Sequence, residues 1–110
     1  MKQTEISFQA EPVINAEAGN DHLDNRTLAL ICKALSHPIR IRIVEHLKKV
    51  DHCICGEIVE ILPLAQSTVS QHLKILKAAG LVRGEIEGPR TCYCLDKRIL
   101  KLFKQAVAKI

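Results

Sequence analysis

Four of the five cysteines fall in two Cys-x-Cys pairs, Cys53/Cys55 and Cys92/Cys94. In an extended strand residues i and i+2 share a face, so each pair can present two sulfurs side by side. Adjacent thiolates select soft ions: zinc, cadmium or lead through three or four sulfurs, and trivalent arsenic, as from arsenite, through three. The same groups could instead form a thiol redox switch, hold a structural zinc in an interaction module, or simply pack, since a free cysteine is a small hydrophobe. His52 is an additional candidate ligand beside the first pair. Cys32 shares an apolar helical face with Leu28, Ile31 and Leu35 and reads as core packing.

A second constellation is polar. Between Leu62 and Val82 the spacing predicts a turn, a helix of about four turns and a strand entry, with Val69, Leu73 and Leu76 as one apolar stripe. Gln66, Ser67, Thr68, Ser70, Gln71 and Lys74 fall on the opposite face. Short, uncharged hydrogen-bonding side chains of this kind suit base edges in a major groove about 12 Å wide. Lys74 and Lys77 are better placed for phosphates. His72 is positioned either to reach phosphate or to pack between helices. Pro63 closes the preceding segment, and Gly80 stands where a left-handed helix end is wanted.

The elements that must carry these groups follow from periodicity. A helix runs from about Asp24 to Leu35, His37-Pro38 breaks it, and a second continues through Leu47 with Ile39, Ile43, Val44 and Leu47 inward and Arg40, Arg42 and Glu45 outward. Cys53-Ile54-Cys55 reads as a very short strand, and Gly56 to Leu62 as a third short helix. After Gly80 the period becomes two. Leu81 to Glu87 and Thr91 to Leu95 form strands around a Glu87-Gly88-Pro89-Arg90 loop, which puts Arg90 at the tip for a backbone or minor-groove contact, with Arg83 a second candidate. Lys97 to Ile110 is helical, with Ile99, Leu102, Phe103, Ala106, Val107 and Ile110 apolar. The fold class is mainly α with a small β-hairpin (α+β): a winged helix-turn-helix.

The chain has 110 residues and 47% hydrophobic content, enough for one modest core. We divide it into an acidic, mobile N-terminal tail at 1–22 and a DNA-binding and dimerisation domain at 23–110. Residues 1–25 hold Lys2 against Glu5, Glu11, Glu17, Asp21 and Asp24, leaving a net charge of +8 on the remainder of a +4 chain. A basic domain behind an acidic tail fits a polyanionic partner. No apolar run approaches a membrane span and the N-terminus lacks a signal-peptide core, so the expected location is the cytoplasm, with thiols mainly reduced. No Ser/His/Asp set, carboxylate pair or phosphate loop points to an enzyme. A thiol oxidoreductase would need Cys-x-x-Cys on a βαβ scaffold, which this order of elements does not provide.

Two segments carry a specific resemblance. Ala34-Leu35-Ser36-His37-Pro38-Ile39-Arg40-Ile41-Arg42-Ile43 resembles the opening of the ArsR/SmtB family of metal-responsive repressors. Ser67-Thr68-Val69-Ser70-Gln71-His72-Leu73, with Leu76 and Ala79-Gly80-Leu81-Val82, resembles that family's recognition helix. Over roughly residues 26–110 the likeness implies a winged-helix homodimer that binds double-stranded operator DNA and releases it on binding an inducer. The apolar faces of the first and last helices are expected to form the dimer contact, placing two recognition helices about 34 Å apart.

The resemblance supports Cys53 and Cys55 as inducer ligands, since the family's arsenic and cadmium sensors carry Cys-x-Cys here. The arsenic pattern has a third cysteine where this chain has Ile58. The cadmium pattern adds one from an N-terminal segment that here has none before Cys32, and the zinc site on the last helix needs Asp and His, which residues 97–110 lack. Cys92/Cys94 would therefore complete a different site. In winged-helix domains the short strand pairs with the second wing strand. With Thr91, Tyr93, Leu95 and Ile54 inward, all four cysteines would meet on the outer side of one ladder.

Overall fold

The computed structural model describes residues 22–54, 62–87 and 90–110. The acidic tail expected at 1–22, apart from His22, and the third short helix expected at Gly56 to Leu62, apart from Leu62, lie outside them, as does Cys55. The described residues form, in order, α1 (Asn25–Ala34), α2 (Pro38–Val50), α3 (Gln66–Ala78), β1 (Val82–Glu87), β2 (Arg90–Leu95) and α4 (Lys97–Ala108).

Local chemistry sets most boundaries. Asp24 Oδ1 accepts from the Thr27 backbone N–H at 2.8 Å and starts α1, a bond that also holds the carboxyl below the usual carboxylate range. His37 caps α2: its Nδ1 accepts from Ile39 N–H at 3.1 Å, and Pro38 fills the first position, where no N–H is required. Asp96 Oδ1 accepts from Ile99 N–H at 3.0 Å and starts α4. The end of α3 is a complete Schellman motif. Gly80 has φ 88°, its N–H reaches Lys77 O at 3.0 Å, and Leu81 N–H reaches Leu76 O at 3.2 Å. The chain thus leaves the helix and enters β1 within two residues.

The apolar stripe of α3 is the centre of the core, with Val69 and Leu76 fully buried and Leu73 nearly so. Around it pack Ile31 and Ala34 of α1, Ile43, Val44 and Leu47 of α2, Leu81 and Val82 at the wing base, and Ile99 and Leu102 of α4. Among the described residues no helix is long and apolar enough to cross a membrane.

Three expectations are corrected. Cys32 is exposed: α1 buries Thr27, Ile31 and Ala34, and Cys32 stands about 100° round the helix from Ile31. Arg90 is not in the loop. Glu87 pairs with Arg90, so the antiparallel ladder closes to a two-residue connection and Arg90 is the first residue of β2. Thr91, one pair in from that connection, is exposed rather than inward.

Candidate nucleic-acid interface

Gln66, Ser67, Thr68, Ser70, Gln71, Lys74 and Lys77 are all exposed on α3, above the stripe that anchors the helix. Burying Val69, Leu73 and Leu76 on one side leaves the polar side chains a fixed orientation on the other. Lys77 is steadied from the wing. A Cβ built on Gly84 of β1 would stand 3.3 Å from Lys77 Nζ and 3.6 Å from its Cδ, so the bare backbone there is the surface on which the lysine stem lies. Arg83 is exposed on the neighbouring position of β1.

His72 is only half-buried and faces the other helices. Its Nδ1 lies 3.2 Å from Arg40 Nη1, and its ring centroid lies 4.6 Å from that of His37. A guanidinium can only donate, so Nδ1 accepts and the imidazole is neutral with its proton on Nε2. Burial is the main cause of a lowered His72 pKa, and the electrostatic influence of the neighbouring His37 ring and the Arg40 guanidinium lowers it further. Arg40 Nε also donates to Ala34 O at 2.6 Å. One side chain therefore ties the end of α1 and the first turn of α2 to the recognition helix. Sequence reasoning placed Arg40 outside and missed this role, because Arg40 and His72 are 32 residues apart and no local periodicity links them.

Of the four sulfurs expected to meet across one ladder, Cys53 and Cys94 do, while Cys55 lies outside the described residues. Ile54 pairs with Tyr93 of β2, N–H to O at 2.9 Å and 2.8 Å in the two directions. Cys53 is joined to Cys94 by a disulfide, their Cα atoms 4.2 Å apart, and Cys92 is disulfide-bonded as well. Ile54 and Tyr93 pack on the main core, whereas Cys92 and Cys94 alternate with Tyr93 along β2 and so take its other face. They are nevertheless buried, at 3% exposure each, rather than open to solvent; the exposed Cys53 bonds to Cys94 from the outside. The expectation of reduced thiols is thus not what the ladder holds: strand pairing brings the two sulfurs within bonding reach. Among the described residues no group of three or more His, Cys, Asp or Glu side chains converges on a metal-sized point.

Comparison with known proteins agrees with this architecture. A family profile described as bacterial regulatory protein, arsR family, matches residues 37–83. The HTH-type transcriptional repressor SmtB of Mycobacterium tuberculosis is 44% identical over 79 residues, 71% of this chain and 58% of that protein. The chain thus matches little more than half the length of that relative. An HTH-type transcriptional regulator of Methanocaldococcus jannaschii, MJ1325, is 37% identical over 69% of this chain and 86% of its own length. In solution, the homodimeric winged helix-turn-helix DNA-binding domain of a possible ArsR-family regulator from Mycobacterium bovis superposes with a TM-score of 0.63 at 26% identity, covering 91% of each chain. A recognition helix anchored by its apolar stripe, a two-stranded wing and these matches give one conclusion: the chain belongs to the ArsR family of winged helix-turn-helix regulatory proteins.

Proposed function

We propose that the protein is a transcriptional repressor that binds double-stranded operator DNA as a homodimer and is released by a soft thiophilic ion. The observation that carries the DNA reading is the exposed face of α3, uncharged and polar from Gln66 to Gln71 and basic at Lys74 and Lys77. Ser67, Thr68, Ser70 and Gln71 read base edges, while the lysines, His72 through its Nε2 side, and Arg90 on the wing hold the backbone. The homodimer is supported by apolar groups left uncovered at the end of α4, where Val107 is 42% exposed and Ile110, just beyond the helix, 92%. Joined through α1 and α4, two subunits would present their α3 helices to successive grooves.

The inducer reading is supported by the Cys53–Cys94 contact. Reduced, these residues offer two thiolates at one point, with Cys92 two residues along the same strand. That donor chemistry suits arsenite, cadmium, lead or zinc and not hard oxygen-seeking ions. The ion, when bound, would supply a cross-link between sulfurs. Fixing Cys53 fixes the adjacent Ile54–Tyr93 pairing and so the lean of β2, whose other end is Arg90. Tilting the wing against α3 then costs DNA affinity, about 1–3 kcal/mol in allosteric systems generally. A second reading is favoured by the disulfide itself: oxidation of the same pair makes the same cross-link without an ion.

The test is operator binding by reduced protein with and without each ion, repeated on the Cys92→Ser/Cys94→Ser variant. Release of wild type alone by a soft ion supports the first reading. Release only by a thiol oxidant, reversed by dithiothreitol, selects the second. DNA binding indifferent to both removes the inducer function from these cysteines.

A further inference from the structure

A cavity of about 490 Å³ opens between α1, the first turn of α2 and α3, away from the cysteine ladder. Its volume lies in the range of small-molecule sites. The floor is apolar and comes from two helices, Leu30 and Ala34 of α1 and Ile75 and Ala78 of α3. Ile75 is 39% exposed although it sits on a helix whose other outward residues are polar. Nothing in the proposed contact with DNA calls for an isoleucine there.

The rim is of one charge. Lys33, Arg40 and Lys74 line it, and among the described residues no Asp or Glu does. An apolar floor under three cations is complementary to one kind of molecule: an apolar body ending in a carboxylate. Arg40 gives such a ligand a route to the DNA-binding surface. Its bonds to Ala34 O and His72 Nδ1 occupy two of five N–H donors, and both acceptors are neutral. A carboxylate at the rim is a stronger acceptor than either and competes for the same guanidinium.

We propose that this cavity is a binding site for small amphipathic organic carboxylates, and that its occupancy draws Arg40 from His72 and loosens the placement of α3. The cavity is formed within one chain, so the site does not depend on the proposed operator function.

Decanoate and decanol are the probes, titrated into DNA-free protein by calorimetry, with the His72 ring followed by NMR. Decanoate should bind once per chain and shift the His72 ring signals. Decanol, lacking the charge, should bind at least about tenfold more weakly, the loss expected for a charge-assisted hydrogen bond. Ala78→Phe fills the floor and should weaken decanoate binding by a similar factor. The proposal is overturned if decanoate does not bind the wild-type protein, if it binds no better than decanol, or if it leaves the His72 signals unmoved. Undiminished binding by a folded Ala78→Phe variant would also overturn it. Should that variant not fold, the decanoate–decanol contrast on wild type still decides.

Discussion

Replacing Arg40 by methionine isolates the tie between α1, α2 and the recognition helix. Methionine keeps the apolar stem and removes the guanidinium, so the loss is confined to the bonds to Ala34 O at 2.6 Å and His72 Nδ1 at 3.2 Å. Hydrogen bonds from a charged donor contribute about 1.5–3 kcal/mol each, but both acceptors are neutral, the site is only half-buried and one contact is long, which brings the pair below the sum of two such bonds, to about 2 kcal/mol together. Urea unfolding at fixed protein concentration should show this as a lower midpoint at unchanged slope, with Tm lowered by roughly 6–12 °C. A double-mutant cycle with His72→Ala should return a coupling of about 0.5–1.5 kcal/mol. A loss below about 0.5 kcal/mol, or a coupling of zero, would refute the argument that Arg40 locks α3.

Three other outcomes follow from the same geometry. Gly80→Ala forces a Cβ into φ 88° at the Schellman turn and should destabilise by about 1–2 kcal/mol in thermal or urea unfolding. Leu73→Ala, at a site 2% exposed, should cost about 2–5 kcal/mol and take DNA binding with it, because the stripe orients the polar face. The lowered pKa of His72 means that the unfolded chain takes up its proton first as pH falls. Its contribution to stability is therefore complete above the ordinary histidine pKa of 6.5 and is lost as pH drops from there through the folded value. The slope of stability against pH below 6.5 should be shallower in His72→Gln, as measured by denaturant midpoints across that range.

The parts legible in the sequence are those governed by short-range periodicity. Val69, Leu73 and Leu76 announce the buried side of α3 because a helix repeats every 3.6 residues, and Gly80 announces its end because few other residues accept that backbone. Alternation could set Cys53 beside Cys94 only once the winged-helix likeness had supplied the pairing of the short strand with β2. Periodicity failed where neighbours in space decide. Leu28, Ile31, Cys32 and Leu35 look like one apolar face, yet the position of α3 selects Thr27, Ile31 and Ala34 and leaves Cys32 outside. Alternation told which side of β2 the cysteines take, but not that this side is covered. The Arg40–His72 bond, the Lys77–Gly84 contact and the cavity beneath Ile75 depend on segments brought together by folding, so no local pattern could reveal them.

The central claim is that the exposed face of α3 reads sequence in DNA. It is tested most directly by comparing wild type with Ser70→Ala/Gln71→Ala on an operator selected from a random duplex library and on unrelated duplex, at one fixed salt concentration. Loss of base-edge contacts should lower operator affinity by at least about tenfold, while binding to unrelated duplex, held by the lysines and the wing, changes little. An unchanged ratio of specific to nonspecific affinity would contradict the account and move recognition elsewhere on the protein.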